Sequence, residues 1–412
     1  MHHFEYRDGV LHAENVSVPD LARQYGTPLY VYSAATLTRH FQAFDSAFDG
    51  LDHLTCYSVK ANSNLAVLKL LAGLGAGMDI VSGGELYRAL KAGVPPEKIV
   101  YSGVGKRASE IREALEAGIL MFNVESVAEL RKIDEVAGSM GKVARVSFRI
   151  NPDVDPKTHP YISTGMKKNK FGLDIENSLE AYAMCAELAN IEPVGMDCHI
   201  GSQLTSIAPF MEALDKLLDF HGRLKAMGID IQYLDLGGGL GITYDEEEPP
   251  HPTEFGQALK ERLAGVPLKV ILEPGRVIAG NAGILVAEVV YTKSNPSRNF
   301  LIVDAAMNDL VRPSLYGSFH RIDEVTPRGR DSQTFDVVGP ICESGDFLAR
   351  ERVLPAVEQG ELLAVFSAGA YGFTMASNYN SRPRACELLV DGDTVTVARK
   401  RETYEDLVNK EL

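Results

Sequence analysis

The chain has 412 residues, 45% hydrophobic and 24% charged, which bounds it as a globular protein of two or three domains whose core needs no disulfide or metal staple. Its 56 acidic against 41 basic residues leave a net charge of -15, which repels a phosphate backbone and excludes nucleic acid as a general partner. Five cysteines with no C-x-x-C pair exclude a disulfide framework and a zinc ribbon, and the absence of an apolar leader or a membrane-length apolar run predicts a cytoplasmic chain with no membrane partner.

In chain order, short apolar runs alternate with amphipathic helical patterns from about residue 50 to residue 275. Strands are predicted at 55–59, 78–81, 99–102, 121–124, 144–150, 193–199, 233–236 and 268–272. Apolar residues at three- and four-residue steps predict helices between them, at 65–74, 84–92, 108–117 and 126–137. Strict alternation implies parallel strands joined by crossovers, and eight units suggest a closed (β/α)8, TIM-like barrel; an open doubly wound sheet is the rival. After Gly280 the pattern changes. Residues 283–292, 300–304, 334–338, 362–366, 385–390 and 394–399 read as strands separated by turn signals such as Asn295-Pro296 and Asp391-Gly392. That is a mostly antiparallel β-sandwich or barrel, which the early strand 29–32 can join. The expected division is 34–280 for the barrel, with 1–33 plus 281–412 forming the β domain.

Barrel enzymes carry their chemistry at the C-terminal ends of the strands, so those ends are where distinctive residues matter. Strand one runs into Lys60, either a solvated lysine or a nucleophilic Schiff-base lysine in a partly dry site. Strand six ends at His199, a satisfied polar residue or a flat ring able to stack on a planar cofactor, with Gly201 and Ser202 behind it. Strand seven ends in Gly237-Gly238-Gly239, a barrel corner or a nest of N–H groups around phosphate. Ile242 stands where a dinucleotide fingerprint needs a small residue, so that reading fails. Strand eight ends in Glu273-Pro274-Gly275-Arg276, an ordinary ion pair on a turn, or a carboxylate for a ring nitrogen beside a guanidinium for a carboxylate. Four such features at the correct ends of strands one, six, seven and eight outweigh any one of them. The β region adds Cys342-Glu343-Ser344-Gly345-Asp346, Arg312 to Gly317, and Tyr371 between Ala370 and Gly372; each alone also reads as ordinary turn chemistry or, for Cys342, a small buried hydrophobe. P-loop, H-E-x-x-H and G-x-S-x-G motifs are absent.

Together these segments resemble the diaminopimelate decarboxylases, within the alanine-racemase-like (fold-type III) class of pyridoxal-phosphate enzymes. The marks are YSVKAN at Lys60, SGGE at 82–85, HIGSQ at His199, GGGLG at Gly237, EPGR at Glu273, RPSLYG at Arg312, CESGD at Cys342 and AYG at Tyr371, and they run over nearly the whole chain. HPYISTGMKKNKFG at 159–172 looks like that family's mobile active-site loop. The resemblance implies pyridoxal 5'-phosphate as cofactor, with Lys60 attached to it, His199 stacked on its ring and Glu273 on the ring nitrogen. Ser202, Gly238, Gly239, Gly275, Arg276 and Tyr371 would hold or line the phosphate end. Arg276, Arg312 and Tyr316 would grip the substrate's distal carboxylate, with Tyr371 lining the same place and Glu343 taking its ammonium. Cys342 would donate a proton after carbon dioxide leaves. In the family Cys342 and Glu343 reach the site of a partner subunit, which implies a homodimer with shared active sites.

The implied reaction is decarboxylation of meso-2,6-diaminopimelate to L-lysine. A second carboxylate on the substrate calls for a fixed cation, and two arginines are available. A related decarboxylase acting on carboxynorspermidine, ornithine or arginine is the nearest alternative, although Cys342-Glu343 stands where ornithine-type enzymes usually show Cys-Asp. An alanine racemase would set an arginine where Glu273 stands. A non-catalytic binding protein of the same shape would tend to lose the lysine or the cysteine, and both are present.

Overall fold

In a computed structural model, which describes residues 2–155, 164 and 169–411, the chain divides into two compact units. One is Phe41–Ile242 with Glu248–Val277; the other is Met1–His40, Thr243–Glu247 and Ile278–Leu412.

The first unit is a closed parallel barrel. Among the described residues its strands are His53–Ser58, Gly77–Ile80, Ile99–Tyr101, Met121–Val124, Ala144–Arg149, Ile191–Asp197, Tyr233–Asp235 and Lys269–Leu272. Each pairs with the next, and the eighth returns to the first with Val270 opposite His53, which rules out the open sheet. Cys56, Val100, Leu120, Met121, Val194 and Ile271 form one buried cluster within it. Burial on both faces is why these strands read as apolar runs rather than as alternation.

The crossovers begin where the chain supplies a cap. Asn64 Oδ1 accepts from Ala66 N at 2.9 Å, and Ser82 and Ser126 hydroxyls each accept from the third helical residue at 3.2 Å. These contacts satisfy N–H groups that the first helical turn cannot pair internally, and they start helices at Leu65, Gly83 and Val127. The loop motif at 159–172 falls largely outside the described residues.

The second unit is built around the long strand Gly283–Ser294. It pairs antiparallel with Leu29–Ser33, Asn299–Val303 and Leu362–Val365. Leu29–Ser33 therefore does join this sheet. The unit is mostly antiparallel, with two parallel pairings: Asn299–Val303 beside Ser332–Val338, and Leu29–Ser33 beside Cys386–Asp391. Among the described residues, five strands were not legible in the sequence. Phe4–Arg7, Val10–Ala13 and Val16–Ser17 form a small separate sheet, and Ile322–Glu324 and Phe347–Pro355 extend the large one. The first four have two to four residues each, too few for alternation to register, and Phe347–Pro355 (FLARERVLP) carries Arg350, Glu351 and Arg352 in its middle. Phe4, Leu11, Val18, Leu29, Ile284, Val286, Phe366 and Leu388 share its core. Among the described residues no helix is long and apolar enough to cross a membrane.

Candidate active site

The C-terminal rim of the barrel gathers buried polar side chains that an apolar barrel would otherwise exclude. Lys60 sits in a single 3-10 turn, Val59–Ala61, directly after the first strand, and its Nζ forms an ion pair with the fully buried Asp79 at the end of the second. Ser58 Oγ lies 2.7 Å from Asp79 Oδ2 and 3.1 Å from the Glu273 carbonyl oxygen, tying strands one, two and eight together. Asp79 Oδ1 is buried with no hydrogen-bond partner among the described residues.

His199 follows the sixth strand. Its Nδ1 accepts from Gly238 N at 3.1 Å, so the ring proton belongs on Nε2. Burial holds its pKa well below the usual histidine value, and the Arg149 and Lys60 cations push it the same way. A neutral, flat ring results. Arg149 is fixed by Glu125 Oε1 at 2.9 Å and donates through Nη2 to the His199 carbonyl at 3.2 Å.

Glu273 ends the eighth strand and is buried. Its carboxyl is pushed well above the usual range by burial first, then by the Asp235 and Asp79 charges, with Lys60 and Arg149 opposing. A cation brought against it would lower that proton affinity, so binding a protonated ring nitrogen and ionising Glu273 are coupled.

The triple glycine after the seventh strand is a cradle that side chains would fill. A Cβ on Gly237 would lie 2.6 Å from His199 Nδ1, and one on Gly238 or Gly239 would strike the carbonyl oxygen of Glu273 or Gly201. Gly237 and Gly239 also have φ of 63° and 120°, open to glycine and rarely to other residues. Arg276, buried beyond Gly275, donates to Ser202 Oγ at 3.1 Å. Lys60, His199, Ser202, Gly238, Gly239, Glu273, Gly275 and Arg276 thus lie at the ends of strands one, six, seven and eight. An amine, a neutral ring, a buried carboxyl and a backbone cradle are what a phosphorylated pyridine aldehyde needs, so the residues present fit that cofactor.

The remaining candidates lie in the second unit. Arg312 is buried, stacks over the Tyr244 ring at 4.6 Å, and is oriented by His320 Nε2 at 3.1 Å and Ser318 Oγ at 3.2 Å. Tyr316 closes the same short helix, Arg312–Tyr316, and is half-buried. Tyr371 is held at φ 56°, a left-handed conformation costly for a bulky side chain. The buried Asp346 accepts from Ile341 N and Met307 N, both at 2.7 Å, and this turn leaves Cys342 and Glu343 exposed. The reading of Cys342 as a small buried hydrophobe is therefore excluded. Tyr379 Oη donates to Glu343 Oε2 at 2.8 Å.

Asp79, Asn123, Arg149 and Asp235 escaped the sequence reading. Each is a polar residue in the last positions of a barrel strand, in GMDI, MFNV, ARVSFR and YLD, the first, second and fourth otherwise apolar. That placement was the available signal.

Residues 34–280 match the family described as pyridoxal-dependent decarboxylase, pyridoxal binding domain. The chain is 54% identical over 411 residues to the diaminopimelate decarboxylase of Aquifex aeolicus, covering 100% of this chain and 97% of the relative. It is similar to the crystal structure of the Helicobacter pylori diaminopimelate decarboxylase complexed with L-lysine, with TM-score 0.93, 46% identity, and coverage of 95% and 98% of the two chains. The M. jannaschii diaminopimelate decarboxylase, in co-complex with L-lysine, gives TM-score 0.95 at 42% identity over 99% and 97%.

Proposed function

From the premise that this chain belongs to the pyridoxal-dependent decarboxylases, in their diaminopimelate decarboxylase family, we propose that it converts meso-2,6-diaminopimelate to L-lysine and carbon dioxide. The observation that carries this reading is the convergence, at one rim of the barrel, of Lys60, neutral His199, buried Glu273 and the Gly237–Gly239 cradle. When bound, pyridoxal phosphate supplies an electron-withdrawing ring that takes up the electron pair left on Cα as carbon dioxide departs.

The chain's own residues divide the remaining work. Lys60 would hold the cofactor covalently. His199, without charge, would lie against the ring face and add no positive field there. Glu273 would pair with the ring nitrogen and keep it protonated. Ser202, Gly238, Gly239, Gly275, Arg276 and Tyr371 would receive the phosphate end. Arg276 and Arg312 oppose the substrate's distal carboxylate, with Tyr316 and Tyr371 beside it, and Glu343 faces the distal ammonium. Cys342 delivers a proton from Sγ to Cα after the bond to the carboxylate carbon has broken.

Exposure of Cys342 and Glu343 on their loop suits their delivery into the site of a second copy; on this reading the enzyme is a homodimer, working in the cytoplasm. The test is turnover of diaminopimelate, ornithine, arginine and carboxynorspermidine by purified protein with pyridoxal phosphate. Borohydride should fix the cofactor on the Lys60 peptide, and Lys60→Ala should abolish both fixation and turnover. Equal turnover of ornithine, or full activity of Lys60→Ala, would end the proposal.

A further inference from the structure

The barrel interior beneath the site holds an amide that no role above accounts for. Asn123, at the end of the fourth strand, is fully buried. Its Nδ2 donates to Asp235 Oδ2 at 3.0 Å and to Ser102 Oγ at 3.1 Å, and lies 3.5 Å from Glu273 Oε1. On the other side, its Oδ1 accepts from Ser147 Oγ at 2.6 Å. Ser102 Oγ in turn stands 3.4 Å from Glu273 Oε1. Asp235 is held independently, since its Oδ1 accepts from Gly237 N at 2.9 Å. In this orientation the amide N–H groups have two acceptors and its oxygen has one donor.

We propose that Asn123 is a positioning residue for Glu273: its amide is the donor that lets the Asp235 and Glu273 carboxyls stand side by side, and it keeps Glu273 ionisable and aimed at the cofactor ring. This rests on the proposed decarboxylase reading and goes beyond it, because Asn123 touches neither substrate nor cofactor in that reading. The charged groups acting on Glu273 are Asp235 and Asp79, which raise its proton affinity, and Lys60 and Arg149, which lower it; Asp197 is a further buried carboxyl among them. Exchanging the donor for another acceptor moves Glu273 in one direction only. It replaces a fixed N–H by a third titratable carboxyl beside Asp235 and Glu273, and wherever that carboxyl ionises its charge holds the proton on Glu273 instead of on the ring nitrogen.

The experiment compares wild type, Asn123→Asp and Ser147→Ala, each reconstituted with pyridoxal phosphate. Asn123→Asp is isosteric and should still take up cofactor. Its kcat should fall about tenfold or more with KM within about twofold, and the pH midpoint of the bound-cofactor absorbance should rise by about one unit, the equivalent of that tenfold change. Ser147→Ala leaves the donor in place but frees the amide to turn; it should show the same signature, weaker, and it keeps the test alive should Asn123→Asp fail to fold. Cofactor occupancy and melting temperature are read in parallel. Unchanged kcat and midpoint in variants that bind cofactor would overturn the assignment. So would a loss of turnover that follows lost occupancy or stability alone, which would make Asn123 a core residue only. Wild-type protein that takes up no cofactor at all would instead defeat the decarboxylase reading, and the two failures are distinct.

Discussion

Replacing Gly238 by alanine tests how tightly the cradle is packed against the strand that carries Glu273. The added methyl would run into the Glu273 carbonyl oxygen, with the carbonyl carbon 3.0 Å away. Both partners are backbone, so no side chain can swing aside. Retreat is also blocked, because Glu273 N donates to Gly237 O at 2.8 Å and Leu236 N to Ile271 O at 3.0 Å, which pins strands seven and eight together at that level. Overpacking of this kind costs about 1–3 kcal/mol. Losing the Glu273–Gly237 hydrogen bond adds about 0.5–1.5 kcal/mol, so the sum is about 1.5–4.5 kcal/mol. For a chain of this size each kcal/mol lowers the melting temperature by about 1 °C when it unfolds as one unit. The displacement also falls on a carboxyl that must meet a ring nitrogen, and a misplacement of about 1 Å can cost about a hundredfold in rate. Thermal melting of cofactor-free protein measures the first effect, and cofactor titration with kcat measures the second. A Gly238→Ala protein with wild-type melting temperature and wild-type cofactor affinity would refute the packing argument.

The Asp235 carboxyl is pushed up to about 8, by burial first and then by Asp197, from an ordinary value near 3.8. Between about pH 4 and 8 the unfolded chain has lost a proton that the folded chain keeps, so this residue makes stability fall as pH rises, with a slope of up to about 1.4 kcal/mol per unit. Asp235→Asn should flatten that fall in denaturant midpoints measured across the window, and parallel profiles would contradict the shift. The Lys106 side chain is 1% exposed, and its Nζ donates to Glu129 Oε1 at 2.7 Å and to the Asn123 and Gly103 carbonyls at 2.8 and 2.9 Å. Lys106→Met strands a buried carboxylate and should destabilise by about 3–5 kcal/mol in urea melts, and a loss under about 1 kcal/mol would count against it. Cys342→Ser, on an exposed loop, should leave stability within about 0.5 kcal/mol while lowering kcat/KM by about a hundredfold or more. Retained activity would remove Cys342 from the proton-donor role.

The alternation of apolar runs with helical spacing determined the eight parallel strand–helix units, because each strand buried on both faces must be a short apolar segment and each crossover must hide one apolar stripe. Residue chemistry at strand ends was equally local: Lys60, His199, the glycines and Glu273 stand next to runs that announce where the rim lies. Closure, with Val270 opposite His53, was decided by pairing between residues more than two hundred positions apart, and no spacing encodes it. The same holds for the buried polar layer. Asp79, Asn123 and Asp235 look like interruptions of apolar strands until folding places their side chains on one interior, where low dielectric makes each carboxyl depend on its neighbours. The sheet of the second unit was legible where strands were long, but two- to four-residue strands such as Val16–Ser17 and Ile322–Glu324 exist only because their partners are already in place.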